Sequence, residues 1–277
     1  MIVSKTPLRI SFFSGGSDTP AFSKREDGAA LSVTIDKFIH VIVRKTPNLP
    51  IKTMFDVVDE SDNIEEMKHI ISRESLKLFN IDSEITIASL SDIFSNGSGL
   101  GSSSAFTVGL VNSLFKINNT DALKETIARR ACDIEMNRCG YPVGKQDQYA
   151  ASYGGFNLLR FYSNGNVRVR KIYNDNIPRL NDNLLLVYSG RGRVGNDFLQ
   201  KQSDAMLNDE KFNKVRQNRD LAFEGIKYIL SGDLDSFGDL LHQSWINKRQ
   251  IVNDITEDYL DNIYNIAKES GAIGGKL

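Results

Sequence analysis

Two carboxylates in this 277-residue chain have a spacing suited to acid–base chemistry or to metal binding. Glu135 is expected near the end of one helix and Asp147 near the start of the next. The turn between them, Gly140 to Gly144 with Pro142 inside it, would fold the two side chains back toward each other. One carboxylate could then bind a divalent metal ion and the other an acceptor hydroxyl. Two solvated acids at helix ends are an equally common outcome of such a pattern.

A glycine- and serine-rich stretch, residues 92–105, could bind phosphate through its backbone. Three alternating glycines are followed by three serines: Gly97, Gly99, Gly101, Ser102, Ser103 and Ser104. Glycines let backbone N–H groups turn inward, and the first turn of the following helix adds free N–H groups and the positive end of its dipole. The serine hydroxyls are available to a metal ion or to phosphate oxygens. A merely flexible loop would have a similar composition.

Two widespread phosphate-binding motifs do not match this stretch. The Walker P-loop ends in Gly-Lys-Ser/Thr, and the dinucleotide fingerprint needs a third glycine where Ser102 stands. The flanking residues nevertheless suit a phosphate site, because residues 84–90 alternate like a strand and residues 105–117 are typical of a helix. The order strand, glycine loop, helix predicts a phosphate loop of a different kind.

A strand and a turn near the N-terminus contribute an arginine and a third carboxylate. The strand predicted for residues 1–13 carries Arg9, and the loop after it presents Asp18 behind Gly16 and Ser17. A carboxylate in such a loop can accept hydrogen bonds from two neighbouring sugar hydroxyls and reject analogues that lack them. Taken singly, an edge-strand arginine and a turn aspartate are more often structural.

The composition is that of an ordinary globular chain, with 40% hydrophobic and 25% charged residues. The net charge of −1 provides no strong field for nucleic acid or a membrane surface, so local groups must bind any anionic ligand. The 3 histidines have no metal-ligand spacing, and the 2 cysteines lie too far apart on one predicted helix for a disulfide. No transmembrane or signal segment is recognisable, which predicts a cytoplasmic protein.

The remaining elements predict two domains. Up to residue 173 the pattern mixes strands and helices and ends in a hairpin around residues 163–165. The composition then turns polar, and we place the domain boundary at 178/179. A strand is expected at residues 184–188, and the chain from residue 196 onward is expected to be mostly helical. Earlier helices are expected at residues 64–79, 120–138 and 145–153.

Residues 99–105, Gly-Leu-Gly-Ser-Ser-Ser-Ala, resemble the second signature of the GHMP kinases, the family of galactokinase, homoserine kinase, mevalonate kinase and phosphomevalonate kinase. Arg9 and Asp18 match the opening segment of that family, although Gly-Ser precedes the aspartate where the family often has Glu-His or Gly-Thr. Residues 144–148, Gly-x-x-Asp-Gln, resemble the galactokinase-type catalytic segment. The resemblance implies an α+β GHMP kinase fold. Residues 1–178 would be an ATP-binding domain like domain 2 of ribosomal protein S5, and residues 179–277 a ferredoxin-like domain.

The resemblance also implies a role for each candidate residue. Asp147 would be the catalytic aspartate with Arg9 lying against it, and Glu135 and Ser103 would bind Mg²⁺. The residues expected to bind ATP are Asn96, Gly97, Ser98, Gly99, Leu100, Gly101, Ser102, Ser103 and Ser104. Those expected to bind the sugar are Gly16, Ser17, Asp18, Gly144, Lys145, Arg191 and Arg193. The lysine and the two arginines of this group are candidates for binding a substrate phosphate.

Within the family, residues 9–22 and 144–157 are most similar to kinases of D-glycero-D-manno-heptose 7-phosphate. The implied reaction phosphorylates the anomeric hydroxyl to give the 1,7-bisphosphate, for nucleotide-heptose used in capsule, lipopolysaccharide or S-layer glycans. The enzyme would be a monomer or homodimer. L-fucokinase domains share much of the pattern, and a non-catalytic nucleotide- or sugar-binding homologue is the alternative from another class. The third family signature begins at Gly271 and breaks off at Leu277, which predicts an incomplete C-terminal domain.

Overall fold

The structure, a computed structural model, describes residues 1–13, 16–93, 97–190, 195–252 and 255–277, without the side chains of residues 195–198. Asn96, Arg191 and Arg193, all predicted to bind ligands, therefore lie outside the described residues. By its contacts the chain divides into two units. Unit 1 comprises Met1–Ile10 and Thr34–Gly154, and unit 2 comprises Ser11–Val33 and Gly155–Leu277. The domain boundary after residue 178 stays a prediction.

The described residues have the α+β composition expected from the sequence. The strands are β1 (Ile2–Phe13), β2 (Gly28–Lys45), β3 (Ile51–Met54), β4 (Val58–Ser61), β5 (Ile85–Ser91), β6 (Phe156–Phe161) and β7 (Val167–Lys171). The helices are α1 (Pro20–Ser23), α2 (Ile70–Leu78), α3 (Ser102–Ile117), α4 (Lys124–Cys132), α5 (Gln146–Tyr153), α6 (Asn176–Asp182), α7 (Gly195–Ala205), α8 (Asp209–Ser231), α9 (Leu234–Ile251) and α10 (Asp258–Glu269). A 3₁₀ turn, Ile64–Glu66, precedes α2, and a π-helical segment, Asp133–Arg138, follows α4.

The sheet of unit 1 has the strand order β4-β3-β5-β2, and β1 also pairs with β2. β2 runs antiparallel to β5 over residues 39–45, whereas β3 runs parallel to β5. Alternate residues of these strands point to one face and are buried there, for example Val41, Val43 and Ile87. They form a single core with apolar residues of α3. Because β5 and α3 share this core, the glycine loop between them is held at both ends.

Helix α3 is apolar on nearly every face, as expected of a helix surrounded by protein. Gly109 in its middle lets it lie very close to β1, since a Cβ there would come within 2.7 Å of the Thr6 hydroxyl oxygen. The Ser4 hydroxyl donates a hydrogen bond of 2.9 Å to the carbonyl of Gly109 at the same crossing. This close crossing fixes the helix that follows the glycine loop against the strand that carries Arg9.

Unit 2 contains the predicted hairpin and the helical C-terminal part of the chain. Residues 28–33 of β2 pair antiparallel with β6, and β6 pairs antiparallel with β7. Phe22 of α1 stacks on Phe212 of α8 at a ring-centroid distance of 4.5 Å. Both side chains belong to a buried apolar cluster, and the cluster anchors α1 directly after the turn that carries Asp18.

The strand predicted at residues 184–188 is wrong. These five residues, Leu-Leu-Leu-Val-Tyr, form no strand, and each side chain is exposed, from 38% for Leu184 to 87% for Leu185. Their β-propensity predicts a strand only if a neighbouring strand is available to pair with them. The polar residues just before them form α6, where only a linker was expected.

Three further differences concern unit 1. The predicted helix at residues 64–79 is a 3₁₀ turn followed by α2, because His69 caps α2 and separates the two. The helix predicted at residues 120–138 begins at Lys124 and ends as the π-helical segment. The short strands β3 and β4 were not predicted.

In the described ranges, no helix combines the length and the apolar content that crossing a bilayer requires.

Candidate active site

The glycine loop turns through three residues with positive φ. Gly97, Gly99 and Gly101 have φ values of 71°, 71° and 78°, a region that favours glycine because it lacks a Cβ. Ser98 orders the turn, since its hydroxyl lies 3.0 Å from that of Ser102 and accepts a 3.3 Å hydrogen bond from the N–H of Leu100. The loop leads directly into the N-terminus of α3, and the first N–H groups of a helix favour an anion.

Arg9 joins the glycine loop to the predicted catalytic aspartate. Its Nε and Nη2 atoms donate to the two carboxylate oxygens of Asp147 at 2.7 and 2.6 Å. Its Nη1 donates to the carbonyl of Gly99 at 2.6 Å, and its backbone N–H donates to the carbonyl of Leu100 at 3.1 Å. The predicted contact between Arg9 and Asp147 is therefore present, as a two-pronged ion pair.

Asp147 lies in the first turn of α5, where the positive end of the helix dipole faces it. Its side chain remains 28% exposed although it is paired with Arg9. A carboxylate has about four lone-pair sites, and hydrogen bonds from the described residues occupy two of those of Asp147. Helix α5 is itself held by Glu125 of α4, which accepts hydrogen bonds from Tyr149 and Tyr153. The carboxylate thus has a fixed position and is partly exposed.

Gly101 is required by the close approach of the loop to this ion pair. A Cβ at Gly101 would lie 3.3 Å from Oδ2 of Asp147 and 3.4 Å from Cγ of Arg9. That spacing is tighter than ordinary carbon contacts, so either the loop or the ion pair would have to move. The glycine therefore serves two needs at once, the positive φ and the space for Asp147.

Glu135 is buried, with 1% of its surface exposed, and it lies on the π-helical segment. Such π-bulges are frequent at functional sites. The hydroxyls of Ser104 and Thr107 donate to its carboxylate at 2.8 and 2.6 Å, and the amide of Gln148 also donates to it. Burial raises the pKa of Glu135, whereas these hydrogen bonds act in the opposite direction. The hydroxyl of Ser103 is more distant, at 3.4 Å.

Sequence reasoning missed two of the residues that bind Glu135. Thr107 lies four positions after Ser103, so the two side chains share one face of α3, and this spacing was a usable signal. Gln148 is adjacent to Asp147, and its direction could not be inferred before α5 was positioned. Ser104 stays a predicted ATP-binding residue, and its hydroxyl donates to Glu135.

The donor set around Glu135 fits Mg²⁺ bound together with nucleotide. Within the described residues, no group of three His, Cys, Asp or Glu side chains could hold a metal ion by itself. Mg²⁺ is usually bound through one or two carboxylates together with substrate phosphates and water, so a larger cluster is not needed. Glu135 and Ser103 supply oxygen atoms, the ligand type that Mg²⁺ prefers.

The predicted sugar-binding residues near the N-terminus lie in unit 2. Asp18 is 9% exposed, and Ser17 is fully buried. The Ser17 hydroxyl donates to the Ala29 carbonyl at 2.9 Å and accepts from the Ala29 N–H at 3.2 Å, so its side chain supports β2. Gly16 has a φ of 96°, and a Cβ there would overlap the side chain of Gln202. Within this tight turn, Asp18 is the residue that carries a carboxylate.

Two further predicted residues, Gly144 and Lys145, immediately precede α5 in unit 1. Both are partly buried, and Lys145 is the N-cap residue of α5. Lys145 is therefore two positions from Asp147. The structure thus brings together, within unit 1, Arg9, the described loop residues, Asp147, Glu135 and Lys145.

Comparison with known proteins gives consistent results. The family model described as GHMP kinases N terminal domain matches residues 62–155. A D-glycero-alpha-D-manno-heptose 7-phosphate kinase from Campylobacter jejuni is 30% identical over 295 residues, which cover 99% of this chain and 85% of that protein. A bifunctional fucokinase/GDP-fucose pyrophosphorylase from Arabidopsis thaliana is 23% identical over 95% of this chain and 27% of its own length.

A solved structure supports the same conclusion for the fold. The crystal structure of a D-glycero-D-manno-heptose 1-phosphate kinase from Bacteriodes thetaiotaomicron matches with a TM-score of 0.79 and 22% identity. The match covers 100% of this chain and 85% of that one. The alignment with the Campylobacter kinase extends over both units. The chain therefore belongs to the GHMP kinase family, whose enzymes are ATP-dependent phosphotransferases.

Proposed function

We propose that this chain is a kinase that transfers the γ-phosphoryl group of ATP to the anomeric hydroxyl of D-glycero-D-manno-heptose 7-phosphate. The observation that carries the proposal is the ion pair of Arg9 and Asp147, which is joined to the glycine loop through the carbonyl of Gly99. This arrangement puts a group that can accept a proton beside a loop suited to phosphate. Phosphoryl transfer needs these two parts in a fixed relation.

In the proposed reaction, Asp147 orients the acceptor hydroxyl and takes its proton. The hydroxyl oxygen forms a bond to the γ-phosphorus while the bond from that phosphorus to the leaving oxygen of ADP breaks. Arg9 holds both oxygens of Asp147, so the carboxylate cannot rotate away from the hydroxyl. The residues proposed to hold the phosphates, through backbone N–H groups and hydroxyls, are Asn96, Gly97, Ser98, Gly99, Leu100, Gly101, Ser102, Ser103 and Ser104.

Glu135 and Ser103 are proposed to hold Mg²⁺. The bound ion supplies positive charge that neutralises the phosphate oxygens of ATP during transfer. The contribution of the chain is a carboxylate whose oxygens are already hydrogen-bonded and shielded from bulk water. A preorganised ligand loses little freedom when it binds the ion.

The sugar is proposed to be recognised through Asp18, with Gly16 and Ser17 shaping its turn. Asp18 would accept hydrogen bonds from sugar hydroxyls, for which a carboxylate has enough lone pairs. The residues proposed for the distal phosphate of the sugar and its surroundings are Gly144, Lys145, Arg191 and Arg193. An arginine can bind phosphate through two parallel hydrogen bonds, and a lysine acts as a point charge.

Heptose 7-phosphate is favoured as the substrate by the Campylobacter relative, which carries that name at 30% identity. The structurally similar Bacteriodes protein is named for heptose 1-phosphate, but at 22% identity its likeness concerns the fold. The fucokinase likeness spans 95% of this chain and favours L-fucose as a second candidate. A cytoplasmic location, a role in nucleotide-heptose synthesis and a monomeric or homodimeric state are further parts of the proposal.

A coupled ADP-release assay with a matched sugar panel tests this function. The panel contains D-glycero-D-manno-heptose 7-phosphate, the same heptose without its phosphate, L-fucose and mevalonate. We expect turnover with heptose 7-phosphate and a large loss with unphosphorylated heptose, because the distal phosphate would be lost as a binding group. Turnover that is greatest with L-fucose would refute heptose 7-phosphate as the substrate but would still agree with phosphoryl transfer to a sugar.

A non-catalytic binding protein would give a different result. It would bind a non-hydrolysable ATP analogue and turn over no sugar of the panel. The described Arg9–Asp147 ion pair and the buried Glu135 argue against this alternative, since a protein that only binds nucleotide has no need of a carboxylate held to accept a proton.

A further inference from the structure

The carboxylate of Glu135 is held from two different helices. Thr107 of α3 donates to Oε1 at 2.6 Å, and Ser104 of the same helix donates to Oε2 at 2.8 Å. Gln148 of α5 donates to Oε2 from the other side through its Nε2 atom. Thr107 and Gln148 are both fully buried, so neither side chain can exchange its partner for water. Each carboxylate oxygen therefore has a donor that is fixed by a packed helix.

All of these donors are electrically neutral. In the part of the chain that the structure describes, no lysine, arginine or histidine forms an ion pair or hydrogen bond with Glu135. A buried carboxylate is normally paired with a cation, because neutral hydrogen bonds do not cancel its charge. Neutral donors thus fix the oxygens and leave the negative charge uncompensated. That combination suits a carboxylate whose cation arrives with a ligand.

Thr107 also contacts the second candidate metal ligand. Its hydroxyl lies 2.9 Å from the backbone carbonyl of Ser103, as well as 2.6 Å from Glu135. A hydroxyl has one proton, so it can donate to only one of these acceptors at a time. The Ser103 carbonyl lies within a helix and can accept the N–H of Thr107, whereas Glu135 gains a strong, charge-assisted bond. Thr107 therefore donates to Glu135 from a position one helical turn after Ser103.

The orientation of Gln148 also points to Glu135. Its amide Nε2 faces the carboxylate, whereas its Oε1 is buried and has no hydrogen-bond partner among the described residues. The reversed amide would turn a carbonyl oxygen against a carboxylate oxygen, which is repulsive. A buried acceptor without a partner is unfavourable and is tolerated only where another interaction requires it. The contact with Glu135 is the interaction that requires this orientation.

We propose that Thr107 and Gln148 are positioning residues that hold the carboxylate of Glu135 as a ligand for the divalent metal ion. The inference rests on the proposed function, because the ion is expected to enter with ATP. Removing a hydrogen-bond partner of a metal ligand typically lowers the metal affinity by about 10-fold to 100-fold. Losing either donor should therefore weaken metal binding while the fold is kept.

Mn²⁺ binding, followed by electron paramagnetic resonance in the presence of a non-hydrolysable ATP analogue, tests this without turnover. Thr107→Val removes the hydroxyl and keeps the branched shape, and Thr107→Ser restores the hydroxyl. Thr46→Val is the matched control, because Thr46 is also buried but its hydroxyl has no hydrogen-bond partner in the described structure. Gln148→Met provides a second, independent variant from α5. Thermal unfolding of each variant checks that it is folded.

We expect Thr107→Val and Gln148→Met each to weaken Mn²⁺ binding about 10-fold or more, with Thr107→Ser and Thr46→Val close to the wild type. Equal Mn²⁺ affinity in the wild type and in both folded test variants would overturn the inference, as would a wild type that binds no Mn²⁺ with the analogue. The results distinguish a failure of this inference from a failure of the proposed function. Sugar turnover with unchanged Mn²⁺ binding in the variants overturns this inference alone. Weakened Mn²⁺ binding without turnover of any sugar supports it and refutes the proposed function.

Discussion

Arg9 donates hydrogen bonds to three residues through its side chain and its backbone N–H. It binds both oxygens of Asp147, the carbonyl of Gly99 and the carbonyl of Leu100. A lysine could not reproduce this, because its single ammonium lacks the planar, forked geometry of the guanidinium. The position of the proposed proton acceptor relative to the phosphate loop therefore depends on one residue of β1. At the residue scale, short hydrogen bonds from Arg9 fix the geometry of the site.

Replacing Gly101 tests the close approach of the loop to this ion pair. Gly101→Ala adds a Cβ 3.3 Å from Oδ2 of Asp147, at a φ of 78°. We expect kcat to fall about 10-fold or more, because small displacements of reacting groups are costly. The positive φ should also cost about 1–2 kcal/mol of stability. Steady-state kinetics and urea unfolding measure the two effects.

Gly140→Ala is the control for that substitution. Gly140 has a φ of 68°, but a Cβ there would meet nothing within 4 Å. It should share the loss of stability and keep kcat close to the wild type. Equal kcat values for the two variants would contradict the importance of the contact with Asp147.

The residues of the site differ in how well the sequence predicts them. Arg9, the glycines of the loop, Glu135 and Asp147 have distinctive types and spacing, so they could be chosen as candidates before the structure. Thr107 shares a face of α3 with Ser103, which was a usable signal, but the contact of Gln148 with Glu135 depends on how α5 and the π-helical segment are packed. Polar residues on buried helix faces have many possible partners, and the packing selects one.

At the scale of single elements, α2 has an unusual N-terminal cap. His69 is its N-cap residue, and the Nδ1 atom accepts a 3.2 Å hydrogen bond from the N–H of Ser72. The ring packs edge-on against Phe55 and Phe106. Burial lowers the pKa of His69 from 6.5 to about 4. A neutral ring is needed here, because a proton on Nδ1 would remove the acceptor that caps the helix.

This cap predicts a loss of stability in mild acid. The folded pKa is below the unfolded value, so the contribution of His69 is fully present above pH 6.5 and is lost as the pH falls toward 4. We expect the free energy of unfolding to fall by at most about 1.4 kcal/mol per pH unit from this group. Urea unfolding at several pH values measures it.

His69→Asn isolates the effect of the histidine in that experiment. Asparagine is a good N-cap residue and does not titrate, so the variant should lose part of the slope between pH 4 and 6.5. Carboxylates elsewhere in the chain titrate equally in both proteins and cancel in the comparison. Parallel pH profiles for the wild type and the variant would show that His69 has no role in acid sensitivity.

Elements with strong local signals were predicted well, and those that depend on distant partners were not. The glycine loop and α3 follow from glycine spacing and an apolar run. Residues 184–188 have strand-like composition, but they form no strand. The four-residue strands β3 and β4 are too short for a periodic pattern, and they form because β5 pairs with β3. Pairing over long sequence distances is not encoded in a local pattern.

At the scale of the whole molecule, positive and negative charges are nearly balanced, so local groups must bind anions. The chain has 34 basic and 35 acidic residues, so long-range attraction of ATP is weak. Binding is expected to depend on the loop N–H groups and on the ion held by Glu135. The affinity for a nucleotide should then increase with the number of its phosphates.

A non-hydrolysable ATP analogue with Mg²⁺ should therefore stabilise the folded protein. At about 100 times its Kd the analogue would add about 2.7 kcal/mol, which raises Tm. AMP is the control, because it lacks the two phosphates that the loop is proposed to hold, and it should raise Tm much less. Thermal unfolding in the presence of each nucleotide measures the difference. Equal shifts for both nucleotides would contradict a phosphate-binding role for the loop.

The turnover of Asp147→Asn, measured by ADP release with heptose 7-phosphate, tests the proposed chemistry most directly. Asparagine keeps the size of the side chain but cannot take the proton of the acceptor hydroxyl. We expect kcat to fall roughly 100-fold to 10,000-fold, while the protein stays folded and still binds the ATP analogue, although Arg9 loses one of its two acceptors on this side chain. A folded Asp147→Asn protein with near-normal turnover would contradict the assignment of Asp147 as the proton acceptor.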